Sequence, residues 1–124
     1  MEAKEIVRHF WHTMGSNDFT AASQCLTEDY ELLWPQSSER IVGRANFATL
    51  NTNYPAHGIW KFTINSLVAE ENTVVSDVSV TDGVVHARVI TFSTLRDGLI
   101  AHQTEFWPDE YEAPDWRKAW VQPL

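Results

Sequence analysis

From residue 59 to residue 107 the chain alternates strand-forming runs with turn signals. The runs are IWKFTINSLVAE, TVVSDVSVT, VVHARVITFSTL and LIAHQTEFW, separated by EEN, Asp82-Gly83 and Asp97-Gly98. Asp-Gly between β-branched runs favours a tight hairpin, because its glycine accepts a positive φ. Consecutive hairpins predict an antiparallel meander with one face to bury. The first half of the chain supplies the cover. Residues 3–14, AKEIVRHFWHTM, put Ile6, Val7, Phe10, Trp11 and Met14 on one broad side of a helix. Gly15 and Ser16-Asn17 end that helix and can cap a second, DFTAASQCL, which would bury Phe19, Ala22, Cys25 and Leu26. DYELLWP reads as a short strand stopped by Pro35, with ERIVG as its hairpin partner across QSS. RANFATLNTNY reads as a third helix, with Pro55 and Gly58 as breakers. Helices first and strands after predict one α+β domain over residues 1–124: a cone-shaped, curved antiparallel sheet wrapped around N-terminal helices. Such a cone leaves an apolar cavity at its open end.

Composition narrows the function. Seventeen acidic residues against nine basic ones give a net charge of -8, and no basic cluster offsets it, so a nucleic-acid surface is disfavoured. No apolar run approaches the ~20 residues of a membrane helix. The start, MEAKEIVRHF, lacks the apolar core of a signal peptide, so a cytoplasmic location is expected. Cys25 stands alone, which excludes an intramolecular disulfide and fits a small core thiol. His9 and His12 are three apart, but no pattern ties a strand carboxylate to them; no metal site and no cofactor are expected.

Three stretches carry a resemblance that spans nearly the whole chain: GSNDFTAASQCLTEDYELLWP, IVGRANF, and VITFSTLRDGLIAHQTEFWPDEYEAPDWRKAW. In order and spacing they resemble the SnoaL-like members of the nuclear-transport-factor-2-like superfamily, which includes polyketide cyclases and ketosteroid isomerases. The resemblance implies the cystatin-like roll, a homodimer through the outer sheet face, and a pocket near Phe10, Met14 and Trp34. Ketosteroid isomerases use an Asp base, a helix Tyr and a protonated Asp. In this sequence those positions fall at Trp34, at Phe10 and near Val89 to Thr91, so none of the three groups is present. SnoaL-type cyclases carry a His and an Asp two residues apart on the last strand; here the matching residues are Gln103 and Glu105. The carboxylate is kept in type, and the His is replaced by a group that cannot exchange a proton near neutral pH.

Period-two geometry sorts the last strand. Ala101, Gln103, Glu105 and Trp107 share one face; Ile100, His102, Thr104 and Phe106 share the other. With the first set inward, Glu105 is a carboxyl among aromatics and a candidate general base, with Gln103 as an orienting donor. Desolvation would raise its pKa. The alternative is a solvated Glu105 at the rim, or one paired with an Arg such as Arg88. His86 and Arg88 share a strand face, either as an anion site or as an outer or dimer surface. Asp77 with Ser79 is open in the same way, and His57 lies in a loop. The aromatics favour binding of a small apolar molecule, with Phe10, Met14, Trp34, Trp60 and Trp107 as candidate contacts; core packing is the competing explanation. Ile100, Thr104 and Phe106 would supply the dimer patch. The aromatic tail WPDEYEAPDWRKAWVQPL is expected to pack across the mouth of the cone or against a second subunit. A non-catalytic binding or assembly module is the alternative function.

Overall fold

The computed structural model describes all 124 residues. The helices are α1 (Ala3–Met14), α2 (Phe19–Ser23) and α3 (Arg44–Thr52). The strands are β1 (Leu26–Trp34), β2 (Glu39–Val42), β3 (Lys61–Glu70), β4 (Thr73–Thr81), β5 (His86–Arg96) and β6 (Leu99–Phe106). A 3-10 helix, Asp115–Trp120, lies in the C-terminal tail.

The six strands form one sheet in the order β2-β1-β6-β5-β4-β3. Strands β3 to β6 are the expected antiparallel meander. The β5–β6 turn places Asp97 at φ 53° and Gly98 at φ 79°, the doubly left-handed turn that Asp-Gly accepts. One pairing departs from expectation: β1 runs parallel to β6, so the sheet is mixed. A hairpin advertises itself by a turn. A parallel pair between the first and last strands has no local signal.

Extra residues in β1, β3 and β6 mark bulges that bend the sheet around the helices. The shift between Thr94 and Leu95 corrects one expectation. Ile100 turns inward opposite Leu95 and is fully buried, so it is core and not part of an outer patch. The outer face keeps Phe92 and Phe106 in an edge-on pair 6.2 Å apart. Beside them lies the Arg88–Asp77 fork at 2.7 and 2.5 Å. The core fills the concave side, where Val7 and Phe10 of α1 join Tyr30, Val74, Val78 and Val89.

The second helix is shorter than expected, because Leu26 already belongs to β1. Its cap is Asp18, whose carboxylate accepts the Ala21 N–H at 2.9 Å. Asn17 instead adopts φ 63° and turns its side chain toward the β3 entry. Cys25 is half-buried rather than core. The tail meets the cavity only at its start, where Trp107 and Asp109 line the wall; no residue of its 3-10 helix is buried, and Trp116 and Trp120 are 72% and 78% exposed. No helix is long and apolar enough to cross a membrane.

Candidate active site in the cone cavity

Between α1, α3 and the concave face of the sheet lies a cavity of about 500 Å³. Its walls include Phe10, Met14, Trp34, Trp60 and Trp107, the five residues singled out from the sequence, and Glu105. Fourteen of its 20 lining residues are hydrophobic, so the wall offers few polar groups.

Each wall is held in place. Trp11 donates its indole N–H to Ser76 Oγ at 3.1 Å and packs on Phe10 and Phe62 at 5.2 and 5.7 Å. Trp60 is clamped by Asn17: Nδ2 donates to its carbonyl at 2.8 Å, and its N–H donates to Oδ1 at 2.9 Å. The loop before Trp60 is tied down at a second point. Asp82 accepts the His57 N–H at 2.8 Å and lies 3.0 Å from His57 Nδ1. The same carboxylate accepts the N–H groups of Val84 and Val85 at 3.0 and 2.7 Å. These backbone donors hold the Asp82 carboxyl far below the usual range. Gly58 fits against this turn because a Cβ there would stand 2.9 Å from the Asp82 carbonyl oxygen. His57, which carried little information in the sequence, thus anchors the loop of one cavity wall.

Glu105 is 6% exposed. Its Oε1 accepts the indole N–H of Trp34 and that of Trp107, each at 3.0 Å. Its Oε2 accepts the Thr91 hydroxyl at 2.8 Å. No Arg or Lys reaches it; Arg88 is on the opposite face of the sheet, held by Asp77. Burial pushes the Glu105 carboxyl above its ordinary value, and the three hydrogen bonds only partly oppose that. The donors are not equivalent. An indole N–H can only donate, so Oε1 is fixed as an acceptor. The Thr91 hydroxyl can donate or accept, so Oε2 is the oxygen that can carry a proton.

Gln103 does not join this group. It is 1% exposed and off the cavity wall, with both ends of its amide engaged in the core. Tyr30 donates its hydroxyl to Gln103 Oε1, and Gln103 Nε2 donates to Ser93 Oγ at 3.0 Å. Burial, then the nearby Glu105 charge, pushes the Tyr30 phenol well up, so it stays a donor. The expected orienting role for Gln103 is corrected: the same inward face that exposes Glu105 to the cavity leads Gln103 into packed core one pair earlier.

The sequence reading missed Thr91 and the indole contacts. Trp107 was recoverable, since it stands two residues from Glu105 on one face. Thr91 was not, because it becomes the partner of Glu105 only through the β5–β6 register. The histidines stay apart: His9, His12 and His86 are exposed, and no group of three His, Cys, Asp or Glu residues is arranged to hold a metal ion.

A SnoaL-like domain model matches residues 7–103, and the chain belongs to this family. The fold recurs in a Kribbella flavida protein described as a candidate ketosteroid isomerase. It is 31% identical, with 98% of this chain and 89% of that chain covered and a TM-score of 0.91. An NTF-2 like protein of unknown function from Burkholderia xenovorans is 29% identical over 98% of this chain and 94% of that one, with a TM-score of 0.82. A candidate polyketide cyclase from Xanthomonas campestris shares the fold at 21% identity, covering 86% and 90% of the two chains with a TM-score of 0.68. No curated protein matches the chain.

Proposed function

We propose that the cavity binds a small, largely apolar molecule and that Glu105 moves a proton on it, in an isomerisation, cyclisation or hydration of a carbonyl compound. The observation that carries this reading is a carboxyl 6% exposed on the wall of an apolar cavity, held by three neutral donors and no cation. Such a group has a proton affinity nearer neutrality than a surface carboxylate, as a general base requires. Oε2 is its working oxygen, with Thr91 able to turn its hydroxyl as the proton arrives. Phe10, Met14, Trp34, Trp60 and Trp107 supply the apolar contacts. Gln103 has no part in the step. A homodimer through the outer sheet face belongs to the same proposal, with Phe92 and Phe106 at its centre.

The test is proton exchange. A panel of cyclic and aryl ketones is incubated with the protein in D₂O, and loss of the α-proton signal is followed by NMR. Exchange above background with the wild type, abolished by Glu105→Gln, is the expected result. Exchange unchanged in the variant would remove Glu105 from the mechanism. No exchange with any ketone, alongside ordinary ligand binding, would favour the non-catalytic module.

A further inference from the structure

The charges around the cavity are one-sided. Its wall and rim carry three carboxylates, Glu39, Glu105 and Asp109, and no Lys, Arg or His. The arginines of the sheet and of α3 are engaged elsewhere. Arg88 holds Asp77, Arg96 holds Asp29, Arg40 lies near Glu31, and Arg44 lies near Glu28. Glu105 is therefore a buried carboxyl without a counter-charge. A buried anion with no cation is unfavourable; three neutral donors oppose that cost only in part, and no cation of the protein removes it. The neighbouring surfaces are aromatic. Trp34 and Trp107 turn their N–H edges to Glu105 and line the cavity with their rings, as do Trp60 and Tyr54, which stand edge to face at 6.1 Å. Indole rings attract cations more strongly than other side-chain rings do.

We infer that the molecule this cavity takes is an apolar amine: a hydrophobic body ending in a protonated or quaternary nitrogen that sits among the Trp rings and supplies the missing counter-charge to Glu105. The inference rests on the reading of the cavity as a ligand site and not on the proton-transfer step. The aromatic walls accept the body, the buried carboxyl accepts the nitrogen, and Glu39 and Asp109 at the rim attract cations and repel anions. An anionic ligand would meet three like charges and no partner.

Three probes test this: phenyltrimethylammonium, its uncharged isostere tert-butylbenzene, and the smaller, flat anion benzoate. Binding is read from tryptophan fluorescence and from the indole N–H shifts of Trp34 and Trp107. The ammonium is expected to bind roughly tenfold tighter than the isostere or more, with benzoate weakest. Glu105→Gln is expected to reduce that ratio most. Glu39→Gln and Asp109→Asn, at exposed positions that leave the fold alone, are expected to reduce it slightly. Should Glu105→Gln fail to fold, the wild-type ratio decides. Equal or tighter binding of tert-butylbenzene would overturn the amine inference and leave the cavity as a ligand site. Preferred binding of benzoate would overturn it too. Binding of none of the three would overturn the inference and the ligand-site reading together.

Discussion

Gln103 and Glu105 stand two residues apart on one strand, face the same way, and are both buried, yet their surroundings differ. Gln103 lies in a closed relay, Tyr30 to Gln103 to Ser93, in which every polar atom has a neutral partner. Glu105 lies in an open one. Its donors are Trp34, Trp107 and Thr91, its charge has no counterpart, and it lies on the wall of a cavity. A satisfied, sealed polar cluster specifies packing; a charged cluster bordering empty space is poised to act on something that enters. The two differ in what lies beyond them, not in where they sit on the strand.

The largest effect that would break this contrast is catalytic. Glu105→Gln keeps the shape and should lower any proton-transfer rate by roughly 10²- to 10⁴-fold, measured as ketone α-proton exchange, with the fold intact by circular dichroism. Gln103→Leu should do the reverse. It strands the Tyr30 hydroxyl and Ser93 Oγ in the core, and denaturant unfolding should show a loss of about 2–4 kcal/mol, with exchange per folded molecule unchanged. A Gln103 variant that folds normally but loses exchange would erase the distinction between the clusters.

Smaller effects sharpen it. Trp34→Phe removes one of the donors that favour the charged form, so the Glu105 carboxyl should titrate at higher pH than in the wild type, read by NMR. Stability should follow pH accordingly. Because the folded-state value of Glu105 is raised above the ordinary 4.5, the native state holds the proton more tightly than the unfolded chain. Stability then falls as pH rises from that value through the raised one. Glu105→Gln lacks this loss, so it should gain on the wild type across that interval in melts at stepped pH. Asp82 behaves oppositely. Its lowered value makes its contribution present above the ordinary 3.8 and lost as pH falls below it. The smallest effect expected is from Asp82→Asn, a lowered melting temperature near neutral pH that shrinks on acidification.

Much of the fold could be read from local sequence. The β3–β6 meander follows from period-two runs and Asp-Gly turns, and α1 from the spacing of Ile6, Val7, Phe10, Trp11 and Met14. Of the five wall residues, the family resemblance places Phe10, Met14 and Trp34 near a pocket, and Trp60 and Trp107 are candidates only as large aromatics beside strands. What could not be read is what depends on distant pairing. The parallel β1–β6 contact, the bulge that turns Ile100 inward, and the meeting of Thr91 with Glu105 arise only once strands choose register. Gln103 and Glu105 were indistinguishable by period. Their separation into core and cavity comes from what surrounds each: Tyr30 and Ser93 enclose Gln103, while Glu105 borders the cavity.

The central claim is that Glu105 is a desolvated carboxyl on the wall of a ligand cavity. Its pKa, measured by carbon-detected NMR titration with Glu105→Gln to assign the signal, tests it most directly. A midpoint clearly above the ordinary carboxylate value of 4.5 is expected, and it should shift when a ligand enters the cavity. A midpoint at or below that value, indifferent to ligand, would mean a solvated or ion-paired side chain and would contradict the account.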